Sequence, residues 1–109
     1  SNQAAAIQAG LLNDLVLTQD GIANLADVAQ YGTDNAAVLN QIGERNSIAL
    51  LQDGDANSAF ISQYGSDHHA AVAQFGNNNL VDIQQFGSAS RVFVTQSGDS
   101  NTAYVIQRN

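Results

Sequence analysis

The sequence predicts an all-β fold: a β-solenoid of five 22-residue strand-turn-strand rungs forming two facing parallel sheets. Three observations predict it. A glutamine recurs every eleven residues, at Gln8, Gln19, Gln30, Gln41, Gln52, Gln63, Gln74, Gln85, Gln96 and Gln107, with no insertion or deletion. A glycine follows two positions later, at Gly10, Gly21, Gly32, Gly43, Gly54, Gly65, Gly76, Gly87 and Gly98, and these nine are all the glycines in the chain. Ahead of every glutamine, two alternate positions stay apolar in all ten units.

The alternation assigns strands. The column nearer the glutamine is Ala6, Leu17, Val28, Leu39, Leu50, Ile61, Val72, Ile83, Val94 and Val105. The other is Ala4, Leu15, Ala26, Ala37, Ile48, Ala59, Ala70, Val81, Val92 and Ala103. A period of two is a strand with one buried face, whereas a helix would place apolar residues three and four apart. Each unit therefore reads as a seven-residue strand, from asparagine to glutamine, and a four-residue turn, x-Gly-x-x. Glycine reaches positive φ at least cost, so a fixed glycine marks a fixed tight turn. One strand and one turn cannot close a coil, but two of each can. The expected rungs are 2–23, 24–45, 46–67, 68–89 and 90–109, in a single domain spanning 1–109. Alternate strands then stack into separate parallel sheets.

In chain order, the first rung opens directly on strand pattern, with Asn2 and Asn13 heading its two units. No helix precedes it, and the missing initial Met points to a processed chain. The second rung repeats the form from Asn24 and Asn35, and the third from Asn46 and Asn57. Its segment 52–63, Q-D-G-D-A-N-S-A-F-I-S-Q, holds the full phrase. The fourth rung puts His68 in an asparagine slot and returns to Asn79; the fifth uses Ser90 and then Asn101. Both end rungs read as bare edges, without the polar caps that keep solenoids monomeric. Such edges are a template for head-to-tail strand addition, advancing about 4.8 Å per rung.

Counting by twos places the glutamines and asparagines on the inward face, at the two ends of the core. Inward polar groups are costly unless paired. In a parallel in-register stack each amide donates to one neighbour and accepts from the other, which makes a ladder of the ten glutamines and of Asn2, Asn13, Asn24, Asn35, Asn46, Asn57, Asn79 and Asn101. Outside the core, Tyr64 and Phe86 fall one rung apart with Arg108 next in the column, and Arg45 falls one rung from Asp67. The former predicts stacking, the latter an exposed ion pair.

Composition narrows the function. Net charge is −7, with three Arg and no Lys, the opposite of a nucleic-acid binder. With no Cys there is neither a disulfide nor thiol chemistry. No apolar run is long enough for a transmembrane helix. The chain also lacks Pro, one of the devices that blunt sheet edges. His68 and His69, the only histidines, are adjacent on a strand and point to opposite faces, so they cannot chelate one ion. Phosphate-loop and dinucleotide patterns are absent. No cofactor, metal or catalytic residue is expected, and the chain does not read as an enzyme.

The phrase Q-x-G-x-x-N-x-A-x-x-x-Q, intact at 30–41, 52–63 and 96–107, resembles the curlin repeat of bacterial curli fibres. The resemblance spans all five rungs. It implies a structural subunit of an extracellular, cell-surface amyloid fibre in biofilm matrix, a homopolymer that also meets the other curli subunit, a secretion pore and chaperones. The opening S-N-Q-A-A-A-I-Q-A-G, the uniform spacing and the Q-R near the end are similar to the minor, nucleating subunit. Final-repeat Lys and Arg are sparser than in that subunit, so the major fibre subunit stays open as the other assignment. The alternative from another class is a monomeric solenoid binding module, such as an adhesin segment.

Overall fold

The computed structural model describes residues 1–108. Ten strands follow one another: β1 Gln3–Leu11, β2 Asp14–Ile22, β3 Leu25–Thr33, β4 Ala36–Glu44, β5 Ser47–Asp55, β6 Ser58–Ser66, β7 His69–Asn77, β8 Leu80–Ser88, β9 Arg91–Ser97 and β10 Thr102–Arg108. They form two five-stranded sheets, ordered β1-β3-β5-β7-β9 and β10-β8-β6-β4-β2. Every pairing is parallel and joins residues 22 apart, as in Gln30↔Gln52 and Gln63↔Gln85. The fold is the two-sheet solenoid that the repeat predicts. Position 109 of the expected fifth rung lies outside the described residues.

The strands are longer than the sequence suggested. Eight run nine residues, from the position after the asparagine to the position after the glycine; β9 and β10 run seven. Most of the glycines therefore pair across rungs instead of breaking the sheet, as Gly32↔Gly54 does. The corner itself lies two residues further on, at Leu12, Ala23, Asp34, Arg45, Ala56, Asp67, Asn78, Ala89 and Ser100, each at φ between 55° and 59°. The reason is geometric. The glycine bends the strand without ending its ladder, and a single left-handed residue then reverses it. Left-handed φ is uncommon for non-glycine residues, and here it recurs at every corner. Asp20, Asp53, Tyr31, Tyr64, Phe75 and Phe86, read as turn residues, are consequently strand residues.

The core fills the gap between the sheets. Leu39, Ile61 and Ile83 from one sheet and Val28, Leu50 and Val72 from the other are buried, with Ala26, Ala37, Ile48, Ala59, Ala70, Val81 and Val92 completing it. Leu17, Val94 and Val105 are partly buried against this cluster. Facing strands run in opposite directions: Gln30, near the end of β3, bonds the carbonyl of Asp14 at the start of β2. The alanine-rich column of each sheet thus faces the Leu, Ile and Val column of the other. Large against small lets the layers interdigitate closely.

The strands of one sheet sit at heights between those of the other. Gln19 of β2 reaches Gln3 of β1, and Gln30 of β3 reaches β2. This stagger leaves β1 covered on one side only. All nine of its residues are exposed, Ala4 and Ala6 of the expected inward columns included. At the opposite end Ala103, Val105 and Gln107 of β10 are only partly covered.

Candidate functional site

The inward amides and the two ends of the stack are the chemically distinctive parts of the molecule. The alternating strand register turns each glutamine inward, and the next rung brings its equivalent into hydrogen-bond range. In one sheet Gln8 Nε2 donates to Gln30 Oε1 at 2.6 Å, Gln30 to Gln52 and Gln52 to Gln74 at 2.8 Å, and Gln74 to Gln96 at 3.0 Å. In the other, Gln19 donates to Gln41 at 2.8 Å, Gln41 to Gln63 at 3.0 Å, Gln63 to Gln85 at 2.8 Å and Gln85 to Gln107 at 3.1 Å. From Gln19 onward, the second N–H of each amide crosses to a carbonyl on the facing strand. Gln41 donates to Leu25 O at 2.8 Å, Gln52 to Ala36 O at 3.2 Å and Gln63 to Ser47 O at 3.0 Å. These glutamines therefore join rung to rung and sheet to sheet. The carbonyl also fixes which way each amide lies, because only the nitrogen can face it. Every amide-to-amide bond of the two ladders then points from the N-terminal toward the C-terminal end.

The asparagines do something different from the amide-on-amide ladder expected of them. Asn Oδ1 accepts the backbone N–H of its counterpart one rung on, as Asn35 does from Asn57 and Asn57 does from Asn79, both at 3.1 Å. Asn Nδ2 turns to corner carbonyls. Asn35 Nδ2 donates to Tyr31 O at 3.0 Å and Gly54 O at 2.9 Å; Asn79 Nδ2 donates to Phe75 O at 3.2 Å and Gly98 O at 2.9 Å. The left-handed corner turns peptide groups inward, and the short asparagine side chain reaches them before it could reach another amide. Asn2, at the first rung, donates to Gln19 O at 3.4 Å. Asn13, Asn24, Asn46 and Asn101 share the inward corner arrangement. Among the described residues no buried side-chain nitrogen or oxygen lacks a partner.

His68 copies the asparagine with a ring. Its Nδ1 accepts the Ser90 backbone N–H at 3.3 Å, and its Nε2 lies 3.1 Å from Tyr64 O. The first bond leaves the ring proton on Nε2, so Nε2–H donates to Tyr64 O. A neutral imidazole has one N–H where asparagine has two. His68→Asn is therefore expected to add the missing bond to the Gly87 carbonyl and to stabilise the fold by about 0.5–1 kcal/mol, read as a higher urea midpoint.

A further ladder went unread in the sequence. Asp55 Oδ1 accepts Thr33 N–H at 3.1 Å, Asn77 Oδ1 accepts Asp55 N–H at 3.2 Å, and Asp99 Oδ1 accepts Asn77 N–H at 3.2 Å. Its only trace is Asp or Asn three positions after alternate glutamines, at 55, 77 and 99. On the outer surface Tyr64 and Phe86 stack at 5.3 Å, and the Arg108 guanidinium lies 5.6 Å from the Phe86 ring centre. Arg45 Nε donates to Asp67 Oδ1 at 2.8 Å, and Arg45 Nη2 donates to Asp67 Oδ2 at 3.0 Å. That bond, together with the positive charge, holds the Asp67 carboxyl below its usual pKa. A lowered carboxylate pKa favours the fold above the unfolded value, and the benefit is lost as pH falls through the folded one. Both partners are exposed, so the contribution is small.

The two ends differ. At the N-terminal end, β1 and β2 are edge strands, and Gln8 Oε1 and Gln19 Oε1 accept no bond among the described residues. At the C-terminal end, β9 and β10 are edge strands. There Gln96 and Gln107 each donate one N–H, to Leu80 O and Arg91 O, and the other N–H points out of the stack. One end offers acceptors and the other donors. Among the described residues no group of three potential ligands could hold a metal ion. No helix is long and apolar enough to cross a membrane.

Comparison with known families matches the curlin associated repeat twice, over residues 43–76 and 76–108. No curated protein and no solved structure matches the chain. The matched stretches take in more than half of the sequence and coincide with the strands whose glutamines, glycines and asparagines build the ladders, and on that footing the chain belongs to the curlin repeat family.

Proposed function

We propose that the chain is a structural subunit of an extracellular curli-type amyloid fibre and that it polymerises head to tail by strand addition at the ends of the solenoid. Family membership supports a fibre subunit and a non-enzymatic role. The observation that carries the mechanism is the complementarity of the ends: outward amide N–H groups at β9 and β10, outward amide oxygens at β1 and β2, and one parallel register throughout. A second copy placed C-terminal edge to N-terminal edge would extend both glutamine ladders and cover the bare inner face of β1. The extracellular, cell-surface setting and the encounters with a secretion pore, chaperones and a second curli subunit follow the family resemblance.

The test is fibre growth by the purified full chain, followed with an amyloid dye and by diffraction for the spacing of about 4.8 Å along the axis. The expected result is seeded, concentration-dependent growth that slows when Gln8 or Gln107 is replaced by Leu. A chain that stays monomeric at high concentration, with or without seeds, would favour the adhesin-like binding module. Within the fibre two parts stay open, nucleating subunit or main building block; the uniform eleven-residue spacing and the opening sequence favour the first, the sparse Lys and Arg of the final repeat the second. Trace amounts of a nucleating subunit should remove the lag in assembly of another curlin subunit. An unchanged lag would make it a main building block.

A further inference from the structure

We propose that the joint between two copies is set in a single register by an ion pair between Arg108 of one copy and Asp20 of the next. The proposal rests on the head-to-tail reading above and specifies its joint. Its starting point is one outward column, Asp20, Ile42, Tyr64, Phe86 and Arg108, whose members pair in turn across the even-numbered strands. The column begins with an acid and ends with a base, and both are exposed.

If the ladder continues across a joint, β2 of the next copy pairs with β10 as β10 pairs with β8. Gln107 then meets Gln19, and the neighbouring Arg108 meets Asp20. The chain already contains an ion pair of the same order, though at a corner column and not on a strand. Arg45 and Asp67 stand one rung apart with the base on the earlier rung, and they close a two-bond pair at 2.8 and 3.0 Å. Arg108 would precede Asp20 in the same sense. Its guanidinium is already held over the Phe86 ring, so less freedom remains to be lost on pairing.

The neighbouring columns agree with this register. Phe93, 69% exposed, would come to lie beside Ala5, and Tyr104, 67% exposed, beside Val16. Ile106 would meet Thr18, and Thr95 would meet Ile7. Bulky apolar groups left open at the C-terminal rung thus find small or apolar neighbours. A shift by one residue would turn inward groups outward. A shift by two would keep the faces but separate Arg108 from Asp20 and break the glutamine ladder.

The experiment compares seeded elongation of the full chain carrying Asp20→Arg, Arg108→Asp or both. At low salt each single reversal is expected to slow elongation about fivefold. The double variant should restore the rate, Arg108→Lys should retain most of it, and the differences should fade in molar salt. Net charge alone predicts otherwise: Asp20→Arg brings the acidic chain nearer neutrality and would speed association. Asp53→Arg, the same charge change on another column in the third rung, serves as the control and is expected not to slow growth. Fibres that grow normally with either single reversal, or a double variant no faster than the singles, would overturn the ion-paired register and leave the head-to-tail reading standing. Wild-type chain that never elongates from seeds would overturn both.

Discussion

Gly54→Ala is expected to disrupt the middle of the solenoid, at a cost of about 4 kcal/mol or more. A methyl group built on Gly54 would lie 2.0 Å from the Gly76 carbonyl oxygen and 2.8 Å from its carbon. Both are backbone atoms in a paired strand, so neither can move aside without opening the rung. The residue also sits at φ +128°, where an L side chain is strained even with room around it. Opening the rung would pull Gly54 O from Asn35 Nδ2 as well. Against a typical domain stability of about 5–15 kcal/mol, the loss should appear as a chain largely unfolded in mild urea. Gly98→Ala is the instructive contrast. A methyl there meets nothing nearer than Asn101 Nδ2 at 3.7 Å, so the isolated fold should survive with only the φ strain, about 1–2 kcal/mol. In an end-to-end assembly the same methyl would point at the Gly10 carbonyl of the next copy. A Gly98→Ala chain that folds but fails to elongate from its C-terminal end is the expected result. Normal elongation at that end would count against close stacking at the joint.

Gln52→Leu should be nearly as damaging by a different route. Gln52 is fully buried. Its loss strands one of the two Gln30 N–H groups, the other keeping Asp14 O, and takes the side-chain donor from both Gln74 Oε1 and Ala36 O. Each stranded buried group costs about 1–3 kcal/mol, and the leucine regains only part of that by its apolar surface. A net loss of about 3–5 kcal/mol is expected in a denaturant titration. Gln52→Glu should be no better near neutral pH. A carboxylate can accept from Gln30, but it opposes the Gln74 and Ala36 oxygens with a buried charge. Gln107→Leu, at the partly covered last rung, removes fewer internal bonds and should perturb the monomer less than Gln52→Leu.

Much of this architecture was legible because the repeat has no irregularity to interpret. The eleven-residue interval of Gln41, Gln52 and Gln63 sets rung length, and the even count of units sorts strands between two sheets. Alternation around Leu39 and Ile61 gives the inward face. The pairing of Tyr64 with Phe86 follows from the same arithmetic. The corners were not legible. A glycine advertises positive φ, so attention falls on Gly43, while the residue that reverses the chain is Arg45, a type with no preference for the left-handed region. The strand ends were misplaced for that reason. Asparagine and glutamine carry the same amide, and sequence alone puts both in ladders. Their difference of one methylene decides whether the amide reaches its counterpart, as in Gln52, or the nearer corner peptides, as in Asn57. The bonds of Asp55, Asn77 and Asp99 escaped notice because acidic turn residues are usually hydrated.

The even number of strands carries a consequence for any filament built from this molecule. With five strands in each sheet, a copy added at the end meets its predecessor in the same orientation and needs no half-turn about the long axis. The filament would therefore be two-sided along its whole length. One flank would repeat the shallow apolar trough of Ala49, Leu51, Ala71 and Ala73 that ends at Phe93; the other would repeat Val38, Phe60, Asp82 and Tyr104. Deleting one eleven-residue unit would preserve the amide ladders yet make successive copies alternate their flanks, and a ligand that prefers one flank would then find it on both.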